Sequence, residues 1–271
     1  MMVFSARLCR SGVLRSPDPS ALTRFAVMTA RDVFRRNHAR SMPQAQKALV
    51  EGDAAVLASL AHCLNLLLCH GVRPFHSSLT HYVYGDGGGE DNRGNKGSKA
   101  RRELLASRDL RDVLGMAGVM IADPLFAGHP KLDRLTGILL DHFSKHEDCR
   151  NEAAGGEPDP QTRVMVFSQY RESVEDIVSV LKRSQPMIRP MQFLGQASGR
   201  SGKGLTQKEQ VDIINSFQTG NHNVLVSTSI GEEGLDIGEV DLIVCYDSQS
   251  SPIRMVRKEV LKKKTPSIFV S

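Results

Sequence analysis

The chain contains 271 residues, which is enough for one large domain or two smaller ones. Its net charge of +5 and pI of about 9.0 permit a nucleic-acid partner but do not require one. The five cysteines form no Cys-x-x-Cys pair and no apolar run is expected to cross a membrane, which argues against a disulfide framework, a zinc site and a membrane partner.

The first 25 residues are basic. They carry Arg7, Arg10, Arg15 and Arg24 against one acidic residue, Asp18. This composition is typical of a mitochondrial transit peptide, but a disordered tail or a start assigned inside a longer gene would look the same. We predict a disordered tail over residues 1–20.

Residues 21–146 are expected to form an all-helical domain, because their apolar residues recur at spacings of three and four. The pattern predicts helices at 22–37, 44–69, 100–114 and 131–144. Gly71 and Pro74 are expected to end the second of them. Residues 85–98 are rich in glycine and polar side chains, so a disordered loop is predicted there.

The periodicity changes after residues 147–161, a stretch rich in Gly, Pro and acidic residues that reads as a linker. Strands are predicted at 164–167, 188–193, 224–226 and 242–244, with helices at 171–182 and 207–217. Alternating strands and helices predict a parallel sheet with right-handed crossovers. Thr206 and Glu209 form a capping-box pattern before the second of these helices.

The loop after the third predicted strand, residues 227–236, has the composition of a ligand-binding loop. The hydroxyl of Thr228 can donate to a phosphate, and Gly231 and Gly234 let backbone N–H groups approach an anion closely. The carboxylate of Asp236 can accept a hydrogen bond from a sugar hydroxyl. An ordinary polar surface turn would have the same spacing, and the spacing alone leaves both interpretations open.

Several separated motifs resemble those of superfamily 2 helicases. Residues 227–237, Ser-Thr followed after three residues by Glu-Glu-Gly-Leu-Asp-Ile, resemble motif V, and residues 163–176 resemble motif IV. Further matching stretches lie upstream of motif V at 193–199 and 204–210, and downstream of it at 239–249 and 251–254. Two more lie in the helical region, at 30–37 and 50–53. In this order they are similar to the Fanconi anaemia group M and Hef family, over about 19–256.

The resemblance implies an α/β fold: a truncated RecA-like helicase C-terminal domain at 162–256, preceded by an all-helical insert domain. It implies DNA contacts at Ser168, Gln169, Gln210, Ser227, Thr228 and Gly231, and nucleotide contacts at Gly234 and Asp236. Gln210 is equally interpretable as an exposed helix residue. Glu232 and Glu233 are expected to shape the loop rather than to act as a catalytic carboxylate pair.

The helical insert of this family helps to recognise branched DNA, which gives its basic residues a possible role. The candidate contacts are Arg31, Arg35, Arg36, Arg40 and Lys47. Such side chains would bind phosphates without sequence preference and with strong salt dependence. A solvated helix face would show the same charges.

The 271 residues contain no Gly-x-x-x-x-Gly-Lys-Ser/Thr loop and no Asp-Glu-Ala-His-like box. The nearest pattern, Ala197–Gly204, lacks the first glycine and the magnesium-binding hydroxyl. The family match stops at about Val256, before the arginine motif, and 257–271 read as a divergent basic tail. ATP and Mg²⁺ are cofactors of the full-length family, and neither is expected to bind tightly to this chain alone; no catalytic residue or metal ligand is predicted.

Within the tail, Val256–Lys264 is expected to be disordered, and Ser267–Ser271 is the one segment that could add a strand. The run Lys262–Lys264 is either a solvated tail or a nuclear-import signal.

Two functions are compatible with this sequence. The chain is either the second half of an ATP-dependent translocase for branched, fork-like DNA in repair, or a non-catalytic DNA- or protein-binding isoform. Nuclear localisation and partners from DNA-repair complexes are expected in either case.

Overall fold

The computed structural model describes residues 1–38, 42–85, 98–152, 162–195, 205–228, 237–247 and 267–270. The chain divides into two compact units, Met1–Phe126 and Ala127–Ser271. This division differs from the predicted domain boundary at residue 146.

Helices make up the first unit. In chain order they are α1 (Met2–Arg10), α2 (Arg24–His38), α3 (Gln44–His70), α4 (Val72–Tyr84), α5 (Lys99–Ala106) and α6 (Arg108–Ala122). The long helix α3 is central and contacts α1, α2, α4 and α5.

Helix α1 lies where a disordered tail was predicted. Its apolar residues Phe4 and Leu8 are buried. Arg7 donates two hydrogen bonds to the buried carboxylate of Asp53 on α3, at 2.8 and 2.6 Å, and a third to Glu103 on α5 at 2.6 Å. The basic composition therefore includes a residue that pairs with a buried acid, and composition alone does not reveal such a partner.

Helix α3 corrects the expectation about apolar runs. Among the helices that the structure describes, α3 is the one whose length and composition would allow it to cross a membrane. Half of its apolar window is buried inside the protein, where four helices surround it. A core helix covered on several sides is apolar around most of its circumference, which explains the composition.

Two helix boundaries also differ from the prediction. Gly71 ends α3 as expected, with a φ of +96°, but Pro74 lies in the first turn of α4, where its missing N–H has no intrahelical acceptor to lose. The single helix predicted at 100–114 is two helices, because Ser107 is extended (ψ 133°) and separates α5 from α6.

The second unit is a parallel sheet with flanking helices, as predicted. Its helices are α7 (Pro130–Glu152), α8 (Arg171–Leu181) with a following 3₁₀ turn at Lys182–Ser184, and α9 (Gln207–Gln218). Its strands are β1 (Val164–Phe167), β2 (Pro190–Phe193), β3 (Val224–Ser227), β4 (Leu242–Cys245) and β5 (Ser267–Phe269). All paired strands are parallel, in the order β2-β3-β1-β4-β5.

The two faces of the sheet have separate cores. Val164 and Val166 face a cluster that includes α7 and α8, whereas Met165 and Phe167 face a cluster with α9. This burial on both faces explains why the strands are continuous apolar runs.

Helix α7 packs in the first of these clusters through Leu132, Leu135, Leu139 and Phe143. These spacings of three and four place the four side chains on one face of the helix. The prediction assigned this helix to the helical domain, but its apolar face covers the sheet.

The C-terminal residues supply the last strand. Ser267 lies opposite Ile243, and the Val270 N–H donates to the Cys245 carbonyl at 3.0 Å. Residues 248–266, which include the segment predicted to be disordered, lie outside the described residues.

Candidate nucleic-acid interface

The carboxyl ends of the three central strands lie at one level of the sheet. Phe167 of β1 is in register with Ser227 of β3 and with Cys245 of β4. The residues that follow these strands therefore form a common edge, and ligands of α/β sheets bind at such edges. Four predicted contacts belong to it: Ser168, Gln169, Ser227 and Thr228.

These four residues differ in accessibility. Gln169 is exposed, whereas Ser168, Ser227 and Thr228 are buried. The Ser168 N–H donates to the Ser227 carbonyl at 2.9 Å, and the Ser227 hydroxyl donates to the Thr228 carbonyl at 2.9 Å. The Ser227 hydroxyl is therefore already engaged, and Gln169 is the side chain of the four best placed to meet a macromolecule.

The Ser168 hydroxyl is a buried polar group at this edge. Only 2% of the residue is exposed, and its Oγ has no hydrogen-bond partner within the described part of the chain. A buried hydroxyl without a partner costs about 1–3 kcal/mol, which a ligand oxygen at this position would recover.

The chain leaving β4 contributes two residues that the sequence reasoning missed. The Tyr246 N–H donates to the Phe167 carbonyl at 2.8 Å, and the Asp247 carboxylate accepts a hydrogen bond from the Gln169 N–H. Burial, followed by the nearby carboxylates of Asp176 and Asp247, raises the pKa of the Tyr246 phenol, which stays neutral. Two signals were available: both residues lie in the family-like stretch 239–249, and both follow a buried strand directly.

Gln210 lies elsewhere than expected. Gln210 is only 2% exposed, and its Nε2 donates to the Leu194 carbonyl at 3.0 Å. It therefore ties α9 to the end of β2 and presents no surface to DNA, which corrects both interpretations considered above. The capping box on the same helix is confirmed, with Thr206 accepting from the Glu209 N–H at 3.3 Å.

The remaining predicted contacts belong to the loop between β3 and β4. Gly231, Gly234 and Asp236, with Glu232 and Glu233 between them, lie outside the described residues. The whole of Ala197–Gly204 and Arg40 in the helical unit also lie outside the described residues.

The predicted basic cluster of the helical unit is partly neutralised. Arg35 donates to both oxygens of the Glu51 carboxylate, and Arg31 donates to Asp32 at 2.8 Å. The hydrogen bond to Glu51 raises the pKa of Arg35, so its guanidinium stays charged. Arg36 and Lys47 form no ion pair with a described residue, and of the four described members of the cluster they are the best able to bind a phosphate.

Among the described residues, no group of three or more His, Cys, Asp or Glu side chains could hold a metal ion.

Comparison with known proteins defines the class of protein to which the second unit belongs. Residues 144–259 match the family model described as the helicase conserved C-terminal domain. This range contains the end of α7, strands β1 to β4 and the edge formed by Ser168, Gln169 and Thr228. The second unit is therefore a helicase C-terminal domain with a RecA-like fold, as predicted.

The particular relatives narrow this class. The chain is 42% identical over 242 residues to ATP-dependent DNA helicase mph1 of Aspergillus fumigatus, which covers 89% of this chain and 21% of the relative. It is 40% identical over 252 residues to the mph1 protein of Neurospora crassa, covering 93% of this chain and 20% of that protein. The chain is thus a homologue of these superfamily 2 DNA helicases and spans about a fifth of their length.

The fold is shared with a solved structure over almost the whole chain. The Hef helicase domain of Pyrococcus furiosus superposes with a TM-score of 0.62 at 24% identity, covering 99% of this chain and 50% of that one. The helical unit therefore belongs to the shared architecture as well.

Proposed function

We propose that this chain is the helical insert and second motor domain of an ATP-dependent helicase or translocase of the Fanconi anaemia group M type. The parent protein would act on branched and fork-like DNA in the nucleus, in the repair of interstrand crosslinks, with partners from DNA-repair complexes. The similarity to mph1 proteins over 89% of the chain supports this proposal.

One observation supports the DNA contact above the others. Exposed Gln169 stands beside the buried hydroxyls of Ser168 and Thr228, at one level of the sheet edge. Amide and hydroxyl donors suit phosphate oxygens, and such contacts carry no sequence information. Binding through this edge is therefore expected to be independent of sequence and sensitive to salt.

The 271 residues alone are proposed to bind DNA without hydrolysing ATP. Phosphoryl transfer in motors of this kind relies on a phosphate-cradling loop, a magnesium-holding acid and arginine fingers. The sequence contains neither the loop nor the acidic box, and the implied nucleotide contacts Gly234 and Asp236 lie outside the described residues. No ATP-dependent step is therefore assigned to the residues of this chain.

Phosphate release with and without fork DNA tests the second part of this proposal. We expect turnover at the level of a no-protein control. A DNA-stimulated activity that stays with the protein through repeated purification would overturn it.

Replacing Gln169 by Ala tests the DNA contact. Affinity for a labelled single-stranded DNA is expected to fall about fivefold, the loss of one hydrogen bond of about 1 kcal/mol. Gln185→Ala is the matched control, because Gln185 is also exposed but follows the 3₁₀ turn at the opposite edge of the sheet. Equal affinities for the two variants would remove Gln169 from the interface.

The basic residues of the helical unit give an independent test with fork DNA. Arg36→Ala and Lys47→Ala are expected to weaken binding, whereas Arg35→Ala is expected to change it less, because Arg35 is already paired with Glu51. A loss for Arg35→Ala as large as for Arg36→Ala would show that the Glu51 pair opens when DNA binds.

A further inference from the structure

Strand β4 is bracketed by two aspartates, Asp241 just before it and Asp247 two residues after it. Each uses Oδ2 to accept a hydrogen bond from a backbone N–H at one end of β1. Asp241 accepts from Arg163 at 2.9 Å, and Asp247 accepts from Gln169. The same kind of contact therefore closes the β1–β4 pair at both edges of the sheet.

The contact at the carboxyl edge replaces a backbone bond. The last backbone hydrogen bond between the β1 and β4 segments runs from the Tyr246 N–H to the Phe167 carbonyl, at 2.8 Å. In a parallel ladder the next donor is the N–H two residues further along β1, which is that of Gln169. Because a carboxylate accepts this bond, the connection extends one step beyond the strands, and a charged acceptor makes it stronger than a neutral one.

The position of this carboxylate is unexpected for a surface that meets DNA. A negative charge beside a phosphate opposes binding. A carboxylate here must therefore contribute something other than charge, and its contact with Gln169 identifies the contribution.

We propose that Asp247 is a positioning residue for DNA binding, which holds Gln169 in the orientation that contacts a strand phosphate. This inference rests on the proposed function of the edge. Asp247 fixes the backbone of Gln169, and the buried Ser168 beside it is fixed by its own bond to Ser227. The two residues that follow β1 are thereby joined to the end of β3 and to the residues directly after β4.

Three variants of the full chain test this role with a labelled single-stranded DNA. Asp247→Ala removes the acceptor and is expected to weaken binding about fivefold. Asp247→Asn keeps an oxygen that accepts the bond and removes the charge, so it is expected to bind as tightly as the original chain or more tightly. Asp241→Ala removes the equivalent contact at the opposite edge and is expected to leave DNA affinity unchanged.

The Gln169 amide signal in NMR spectra reports the contact without DNA. It is expected to move upfield in Asp247→Ala and to stay unchanged in Asp241→Ala. Thermal unfolding of all three variants separates a local change from a loss of fold.

The outcomes distinguish this inference from the proposed function. Tighter binding by both Asp247 variants would show that the residue acts through its charge alone, and unchanged binding by Asp247→Ala would show no role; either result overturns the inference while DNA binding stands. An unmoved Gln169 amide signal would refute the contact itself. Absence of DNA binding by the unaltered chain would overturn the proposed function, and the role of Asp247 in DNA contact with it.

Discussion

The elements of the helical unit are joined by side chains, whereas the strands of the sheet unit are joined by backbone hydrogen bonds. In the helical unit, the backbone hydrogen bonds are internal to each helix, so side chains must set how the helices meet. Arg7 joins α1 to α3 and α5, and Arg35 joins α2 to α3. In the sheet unit, the backbone itself connects β1 to both of its neighbours.

This difference determines where each unit is vulnerable. A side-chain pair can be removed by one substitution, whereas a backbone ladder cannot. We therefore expect the stability of the helical unit to depend on a few charged residues. The stability of the sheet unit should depend on its apolar core and on hydrogen bonds at helix and strand ends.

Arg7→Ala is expected to lower the free energy of unfolding of the helical unit by about 3–5 kcal/mol, because it leaves the Asp53 carboxylate buried without a cation. Hydrogen exchange of α1 and α3 peptides in increasing urea measures the loss. Arg10→Ala in the same helix is the control, since Arg10 is exposed and should cost less than about 0.5 kcal/mol.

A second variant separates charge from packing in this pair. Adding Asp53→Asn to Arg7→Ala is expected to restore part of the stability, because the buried group is then neutral. Equal losses for Arg7→Ala and Arg10→Ala would contradict a structural role for the ion pair.

Leu139→Ala is expected to cost about 3 kcal/mol, within the range for a buried leucine in a packed core. The lost protection should appear in β1 and α8, because Leu139 packs in the cluster of the sheet. Leu125→Ala is the control, as Leu125 is 88% exposed. Weakening confined to α3 and α4 would instead favour the domain boundary predicted from the sequence.

Thr206→Ala is expected to destabilise the sheet unit by about 1 kcal/mol, because α9 loses its N-cap acceptor. Thr206→Ser retains the hydroxyl and should recover most of this difference. Urea unfolding of the two variants measures it, and a serine variant no better than the alanine variant would show that the methyl group matters rather than the cap.

The smallest expected effect is a pH dependence from His142, whose Nε2 lies 2.8 Å from the Thr162 hydroxyl. Burial lowers the pKa of His142 below its usual 6.5, although Asp241 opposes the shift. The unfolded chain therefore takes up this proton at a higher pH than the folded chain. This contribution to stability is complete above pH 6.5 and is lost as the pH falls through 6.5 towards the folded pKa.

His142→Gln should therefore flatten the decline in unfolding free energy between pH 7.5 and pH 5.5. It should not abolish the decline, because burial also lowers the pKa of His222. An unchanged decline in His142→Gln, with a flatter one in His222→Gln, would assign the whole effect to His222.

The sequence determined the features that depend on neighbouring residues or on a regular period. Strands β1, β3 and β4 lie within a residue of their predicted positions, because strands buried on both faces are uninterrupted apolar runs. The Thr206 capping box spans four residues and is readable without any partner. The order of the helicase-like motifs identified the class of protein, and the family comparison confirms that class.

Only the tertiary structure decided the features that join distant residues. Arg7 and Asp53 are 46 positions apart in the sequence, and Gln169 and Asp247 are 78 apart. No local sequence pattern predicts either contact. Helix α7 has an apolar face that would suit a helix bundle or a sheet, and packing alone assigned it to the sheet. The fates of Gln210, which is buried, and of Arg35, which is paired, were likewise set by neighbours that fold into place from other elements.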